Sequence, residues 1–176
     1  MSDQIEQFDV VVIGAGPAGA VSSSLLNKKG HRILVLEKQH FPRFSIGESL
    51  LPQCMTYLEQ AGMLEAVQAS TFQHKNGAAF SRGEEYEYFD FREKISAGWG
   101  TTFQVQRDSF DKILADEAQK QGVVLRYGHS VIACDSVNGE RQLSVQTDTG
   151  ERYQVQWVWS RVAQTAKPRT SILPNA

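Results

Sequence analysis

The feature that most constrains this chain is a turn. Val10 to Ile13 form an unbroken β-branched run, and Gly14, Gly16 and Gly19 follow at once with the spacing G-x-G-x-x-G. A short run without a polar break reads as a strand buried on both faces. Gly14 permits a tight exit, Gly16 lets the backbone come close to a bound group, and Gly19 lets the next helix lie near the strand. Pro17 falls in the first helical turn, where a missing N-H costs little. The first amides of such a helix lack intrahelical partners and favour negative charge.

A glycine triad alone suits any tight strand-to-helix turn, so the residues after it decide its meaning. The helix is predicted to run to Lys29, with Gly30 closing it, and His31 to Leu36 form a second apolar strand ending in Glu37. That acid lies about 20 residues past the triad, where a carboxylate accepts hydrogen bonds from an adenosine ribose. The βαβ unit therefore predicts a dinucleotide site at Gly14, Gly16, Pro17, Ala18 and Gly19, with Glu37 and the adjoining Lys38 at the sugar. An acid at this place favours FAD or NAD over a 2′-phosphorylated cofactor.

Size and charge narrow the classes further. A chain of 176 residues can bury one real core but is short for two independent domains. The net charge is -2 and the basic residues are scattered, which argues against a nucleic-acid binder. No apolar run approaches the ~18 residues of a membrane span, and no signal-peptide pattern opens the chain, so a cytoplasmic protein without stable membrane insertion is expected. Cys54 and Cys134 are isolated, read as ordinary reduced cysteines, and offer no metal spacing.

Beyond Glu37 the periodicity breaks. Residues 38–52 fit neither a helix nor a strand, yet carry Phe41, Phe44 and Ile46. Irregular apolar backbone of this kind lines something or simply connects. Arg43 either faces an anion or lies in solvent, and Glu48 and Ser49 are expected to open the next helix. Gln53 to Ala61 reads as a helix with Met55, Leu58 and Ala61 on one side and Gly62 as its stop. Met63 to Val67 adds a turn or two. Lys75 is placed in a loop, where a lysine is ordinarily solvated.

Ala78 to Ser81 and Tyr86 to Phe91 read as a strand pair joined by the turn Arg82 to Glu85, with at least half of its rings packed inside. Arg107 to Lys120 has the period of an amphipathic helix, and Arg107 would there pair with Asp108 or Asp111. Gly122 to Gly128 is predicted as a third parallel strand. Three alternating stretches, 131–137, 142–147 and 152–159, then fit an antiparallel meander with turns at 137–140 and 148–150. His129 has no evident acidic partner in the sequence.

The glycine turn with Glu37, the segment Phe41-Pro-Arg-Phe-Ser-Ile-Gly-Glu-Ser-Leu-Leu-Pro52 and the later Val105-x-Arg107-x-x-Phe110-Asp111 together resemble the N-terminal part of the flavin-dependent halogenases and their monooxygenase and geranylgeranyl-reductase-like relatives. The resemblance implies an α/β Rossmann-like FAD-binding domain of the glutathione-reductase/hydroxylase type, with a β-meander and part of a substrate-domain sheet. It assigns residues 1–71 and 100–159 to the FAD domain, 72–99 to an inserted piece of the substrate domain, and 160–176 to an atypical tail.

By the same resemblance Arg43, Gly47, Glu48 and Ser49 approach the flavin, and Arg107 contacts the isoalloxazine or the pyrophosphate. Ser130 and Val131 run past the adenine, Val131 through its backbone. Lys75 matches a lysine that holds hypohalous acid, an ammonium being able to donate a proton to the hypohalite oxygen. The aromatic strand pair would line a substrate chamber.

The implied activity is that of an FAD-dependent oxidoreductase: bound FAD is reduced, dioxygen reacts, and oxygen passes to halide or to a small organic or carrier-bound substrate. A flavin reductase would supply electrons. The alternatives are a geranylgeranyl-reductase-like enzyme, or an incomplete nucleotide-binding fragment that self-associates through strand edges. The later D-A-S-G and G-D-A motifs and the W-x-W-x-I-P sequence are missing. Trp157-Val-Trp159 and its Pro-containing tail read instead as a chain end outside the sheet core, so a truncated chain is expected.

Overall fold

The computed structural model describes residues 5–137 and 142–160. The elements run β1 (Glu6–Ile13), α1 (Pro17–Lys28), β2 (Ile33–Glu37), α2 (Gln53–Ala61), α3 (Leu64–Gln68), β3 (Gln73–Lys75), β4 (Gly77–Arg82), β5 (Glu85–Asp90), β6 (Thr102–Gln104), α4 (Arg107–Lys120), β7 (Val124–Tyr127), β8 (Val131–Ser136), β9 (Leu143–Thr147) and β10 (Arg152–Ser160). The chain divides into two compact units, one built from residues up to His40 and from Ala118 onward, the other from Phe41–Glu117.

The first unit is organised on a six-stranded sheet of order β7-β2-β1-β10-β9-β8. β1 pairs in parallel with both β2 and β10, and β2 pairs in parallel with β7. β9 runs antiparallel to β10 and β8 antiparallel to β9. Tyr127 at one edge is joined to Val131 at the other by only Gly128, His129 and Ser130. That link reaches at most ~14 Å, whereas five flat interstrand steps would need about 24 Å. The sheet must therefore roll, laying the meander over one face of the parallel strands.

The core agrees with this geometry. Phe8, Val11, Leu34 and Leu36 from the parallel strands form one buried cluster with Val145, Tyr153 and Val155 from the meander. Each such side chain contributes roughly 1.5–3 kcal/mol on burial. All five residues of β2 are buried, as a strand covered on both faces requires.

Several boundaries differ from the sequence reading. The first strand begins earlier than the Val10 to Ile13 run, because Glu6, Gln7 and Phe8 already pair with Tyr153, Gln154 and Val155. The tryptophan-bearing stretch lies inside the sheet rather than outside it, since Trp157 and Trp159 register with Val10 and Val12 of β1. Their amphipathic pattern misled because β9 reaches only to Val155, leaving Trp157 65% exposed within an interior strand. Most of the expected 137–140 turn and of the 160–176 tail lies outside the described residues.

In the second unit α2 and α4 have the predicted limits, and Met55, Leu58 and Ala61 form the buried side of α2. Gly62 closes α2 at φ 72, the left-handed conformation that favours glycine. Glu48 and Ser49 do not open a helix. Ser49 makes an isolated bridge to Gln104, Val105 N-H donates to Glu48 C=O at 2.8 Å, and Leu50 N-H donates to Phe103 C=O at 3.2 Å. Lys75 ends strand β3, paired with Thr102, rather than lying in a loop.

β4 and β5 form a separate two-stranded ribbon. Its rings are less buried than expected: Tyr86, Tyr88, Phe89 and Phe80 are 49–73% exposed, and only Phe91 just after β5 is buried. A two-stranded ribbon has no third strand or second layer to cover its faces.

Gly19 tests the strand-helix packing directly. A Cβ added there would lie 2.0 Å from the Gly14 carbonyl oxygen, a rigid backbone atom. Gly19→Ala is expected to cost about 2 kcal/mol through overpacking, read as a lower urea midpoint. An unchanged midpoint would show that the turn does not hold α1 against β1.

Candidate FAD site and the residues around it

The glycine turn is built as an anion cradle. Gly14 sits at φ 95, and no described atom comes within 4 Å of the place a Cβ would occupy. Gly16 is the extended N-cap of α1, Pro17 is its first residue, and no described side chain caps the helix. The first turn also holds no acidic residue. Small residues thus leave the helix amides accessible to a phosphate, which meets both their hydrogen-bonding need and the helix dipole. The residues present fit the diphosphate of a dinucleotide.

Glu37 fixes the second part of the cradle. It is 3% exposed; its Oε2 accepts the Ala15 N-H at 2.8 Å and its Oε1 accepts the Gln39 N-H at 3.0 Å. The carboxylate therefore fastens the glycine turn to the end of β2. Lys38 next to it is exposed.

Gly128 to Val131 follow β7 at the carboxyl end of the parallel strands, the place where open α/β sheets bind ligands. His129 N-H donates to Glu37 C=O at 3.1 Å. Ser130 and Asp148 are bonded reciprocally: Ser130 N-H donates to Asp148 Oδ1 at 2.9 Å, and Asp148 N-H donates to Ser130 C=O at 2.9 Å. Val131 begins β8 opposite Thr147. The structure thus brings Gly14 to Gly19, Glu37, Ser130 and Val131 into one unit.

His129 does have an acidic partner. Its Nε2 lies 2.5 Å from Glu151 Oε2, and its Nδ1 lies 2.7 Å from Tyr127 C=O. Tyr153 and Thr149 hydroxyls donate to the same Glu151 oxygen at 3.0 and 3.1 Å. Burial acts to raise the Glu151 carboxyl, but the two hydroxyls and the His129 ring outweigh it and hold the carboxyl below its ordinary value. Burial is also the main cause raising the Tyr153 phenol. The sequence concealed this pair because 22 positions of meander separate its members, although the Val131 to Thr147 register brings their flanks together.

In the second unit Asp111 organises two of the expected flavin-side arginines. It is fully buried; Arg107 donates to it through Nε at 2.7 Å and Nη2 at 3.0 Å, and Arg43 Nη1 stands 3.4 Å away. Arg107 Nη1 also donates to Ile46 C=O at 2.5 Å. Gly47, at φ 99, leaves room for that guanidinium: a Cβ there would stand 3.2 Å from Nη1. Of the two acids offered by the sequence, Asp111 is the partner of Arg107, and the bidentate fork locks the arginine in place. Glu48 is exposed beside it.

Lys75 and Ser49 meet directly. Lys75 Nζ donates to Ser49 Oγ at 2.5 Å and to Leu50 C=O at 3.1 Å, and lies 5.2 Å from the centre of the Phe91 ring. Phe91 also borders an open cleft of about 280 Å³ whose walls include Pro52, Thr56, Phe89 and Trp99. Nearby, Arg92 chelates Asp90 and holds its carboxyl down at about 2.

The family model for the FAD binding domain matches residues 7–160. The chain belongs to the FAD-binding domain family. FAD is accordingly the cofactor of the family to which this chain belongs. Among relatives, tryptophan 2-halogenase of Chondromyces crocatus is 36% identical over 151 residues, 84% of this chain and 28% of that protein. A 1H-pyrrole-2-carbonyl-[peptidyl-carrier protein] chlorinase of Pseudomonas fluorescens is 33% identical over 146 residues, 73% of this chain and 32% of that protein. The crystal structure of a flavoprotein/dehydrogenase from Cytophaga hutchinsonii superimposes with a TM-score of 0.80 at 46% identity, over 88% of this chain and 39% of that one. The chain spans about a third of the length of these proteins. Among the described residues no helix is long and apolar enough to cross a membrane.

Two outcomes follow from the charge pairs. Asp111→Ala removes the buried carboxylate that Arg43 and Arg107 share and is expected to cost about 3 kcal/mol, against less than about 0.5 kcal/mol for Asp108→Ala at the surface; urea titration separates them. Glu151 has a depressed folded pKa, so its contribution is present above its ordinary value near 4.5 and is lost as pH falls beneath it. Thermal midpoints recorded from neutral to acidic pH should therefore fall less steeply in Glu151→Gln than in the parent.

Proposed function

We propose that this chain forms the cofactor-binding part of an FAD-dependent halogenase. The observation that carries the reading is the clasp of Lys75 by Ser49, Leu50 and the Phe91 ring, beside an aromatic cleft. An ammonium held by two oxygens and one aromatic face has a fixed position and direction, which a proton donor to a hypohalite needs and a solvated lysine lacks. The names of the halogenase relatives support the same reading.

In this proposal the turn from Gly14 to Gly19 receives the diphosphate and Glu37 the adenosine ribose, with Lys38 at the rim. Ser130 and Val131 border the adenine. Arg43, Gly47, Glu48, Ser49 and Arg107 serve the flavin end, Asp111 keeping both guanidiniums oriented. Bound FAD supplies the electron transfer and oxygen activation that the side chains cannot. Lys75 then donates a proton to the oxidised halogen species and directs it toward the organic substrate, to which Phe89, Phe91 and Trp99 offer aromatic walls. The substrate is an electron-rich ring, free or carrier-bound, and a separate reductase delivers electrons.

A second reading is favoured by the 46% identity to the flavoprotein/dehydrogenase, which exceeds that to either halogenase. In it the same FAD cradle serves an oxidoreductase that does not halogenate, and Lys75 is structural. Product analysis with chloride or bromide separates the two readings in an enzyme that carries this chain at full length. Lys75→Ala is expected to lower halogenation by about 100-fold or more while the flavin stays bound. Undiminished halogenation in Lys75→Ala would remove the lysine from the chemistry.

A further inference from the structure

We infer that His129 is a positioning residue for the adenosine half of the cofactor: in its doubly protonated form it clamps Gly128 to Val131 between the end of β7 and the β9-β10 turn. The inference rests on the reading of this unit as the FAD cradle.

Both ring nitrogens of His129 face acceptors, Tyr127 C=O at 2.7 Å and Glu151 Oε2 at 2.5 Å. A neutral imidazole has one N-H, so it satisfies one of these and turns a lone pair toward the other. The imidazolium alone satisfies both. The clamp is transmitted through the backbone, because the His129 N-H is bonded to the carbonyl of Glu37, whose carboxylate holds Ala15 in the glycine turn. One histidine thus connects the residues proposed for the ribose with those proposed for the adenine.

The neighbourhood supplies few competing charges. Glu151 and Asp148 approach from the β9-β10 turn, Glu37 from the end of β2, and Tyr153 from β10. Arg126 lies beyond Tyr153 and is itself paired with Glu6. His40 is the other imidazole in this cluster, its ring tilted against Tyr127 with centres 5.7 Å apart. When the ring carries a single proton, one of the two ring contacts becomes repulsive. The loop then loosens and cofactor affinity falls.

The test is FAD affinity of the 176-residue chain, read by flavin fluorescence anisotropy from pH 6 to pH 8.5, a window in which free flavin and adenine do not titrate. The dissociation constant of the parent should rise about fivefold across the window. His129→Asn and Glu151→Gln should bind with flat profiles, and His40→Asn should keep the parental slope. Circular dichroism at each pH identifies any variant that fails to fold, and the parent and His40→Asn profiles still decide the matter in that case. A flat parental profile, a slope that survives in His129→Asn, or a slope abolished by His40→Asn overturns the inference while leaving the cofactor reading intact. No FAD binding by the parent at any pH overturns the cofactor reading and this inference with it.

Discussion

The hydrogen bond from the Ala15 amide to the buried Glu37 carboxylate is the constraint around which the first unit is arranged. It adds a side-chain tie to the backbone bond by which Gly14 N-H reaches the Leu36 carbonyl, so that the turn after β1 and the exit from β2 are held twice. A buried carboxylate is costly unless it is hydrogen-bonded, and here backbone amides meet that need. Sequence places the acid, the parallel pairing of β1 and β2 brings it level with the turn, and the bond then fixes a loop of small residues that has few side-chain contacts of its own. The cradle is therefore rigid without being filled.

Asp111 plays the corresponding part in the second unit. Arg43 comes from an irregular segment and Arg107 from the first turn of α4, and one carboxylate orients both. Irregular backbone acquires its order from such polar anchors, because it lacks the repeated bonds of a helix or sheet. The residues 48–50 illustrate a second device, lying alongside β6 through main-chain bonds.

Much of this was legible in the sequence, and the reasons for the gaps are specific. The glycine turn, α2, α4 and the meander follow local rules of period, cap and turn residue, which a single sequence displays. Ser49 was misread as a helix start because its role depends on Gln104, far away in the chain. The exposed rings of β4 and β5 looked like core, since alternation reports which face is apolar and not what covers it. His129 looked unpartnered for the same reason: only the register of β8 with β9 brings Glu151 within reach.

The double allegiance of β10 has a consequence for how the protein is made. Its first half closes the meander against β9, and its whole length fills the open side of β1. On a ribosome, the strand that emerges first must wait for nearly all of the described chain before its last neighbour appears. Until then one flank of Val10 to Ile13 presents bare amides and carbonyls beside an apolar surface, open to wrong pairing for as long as β10 is missing.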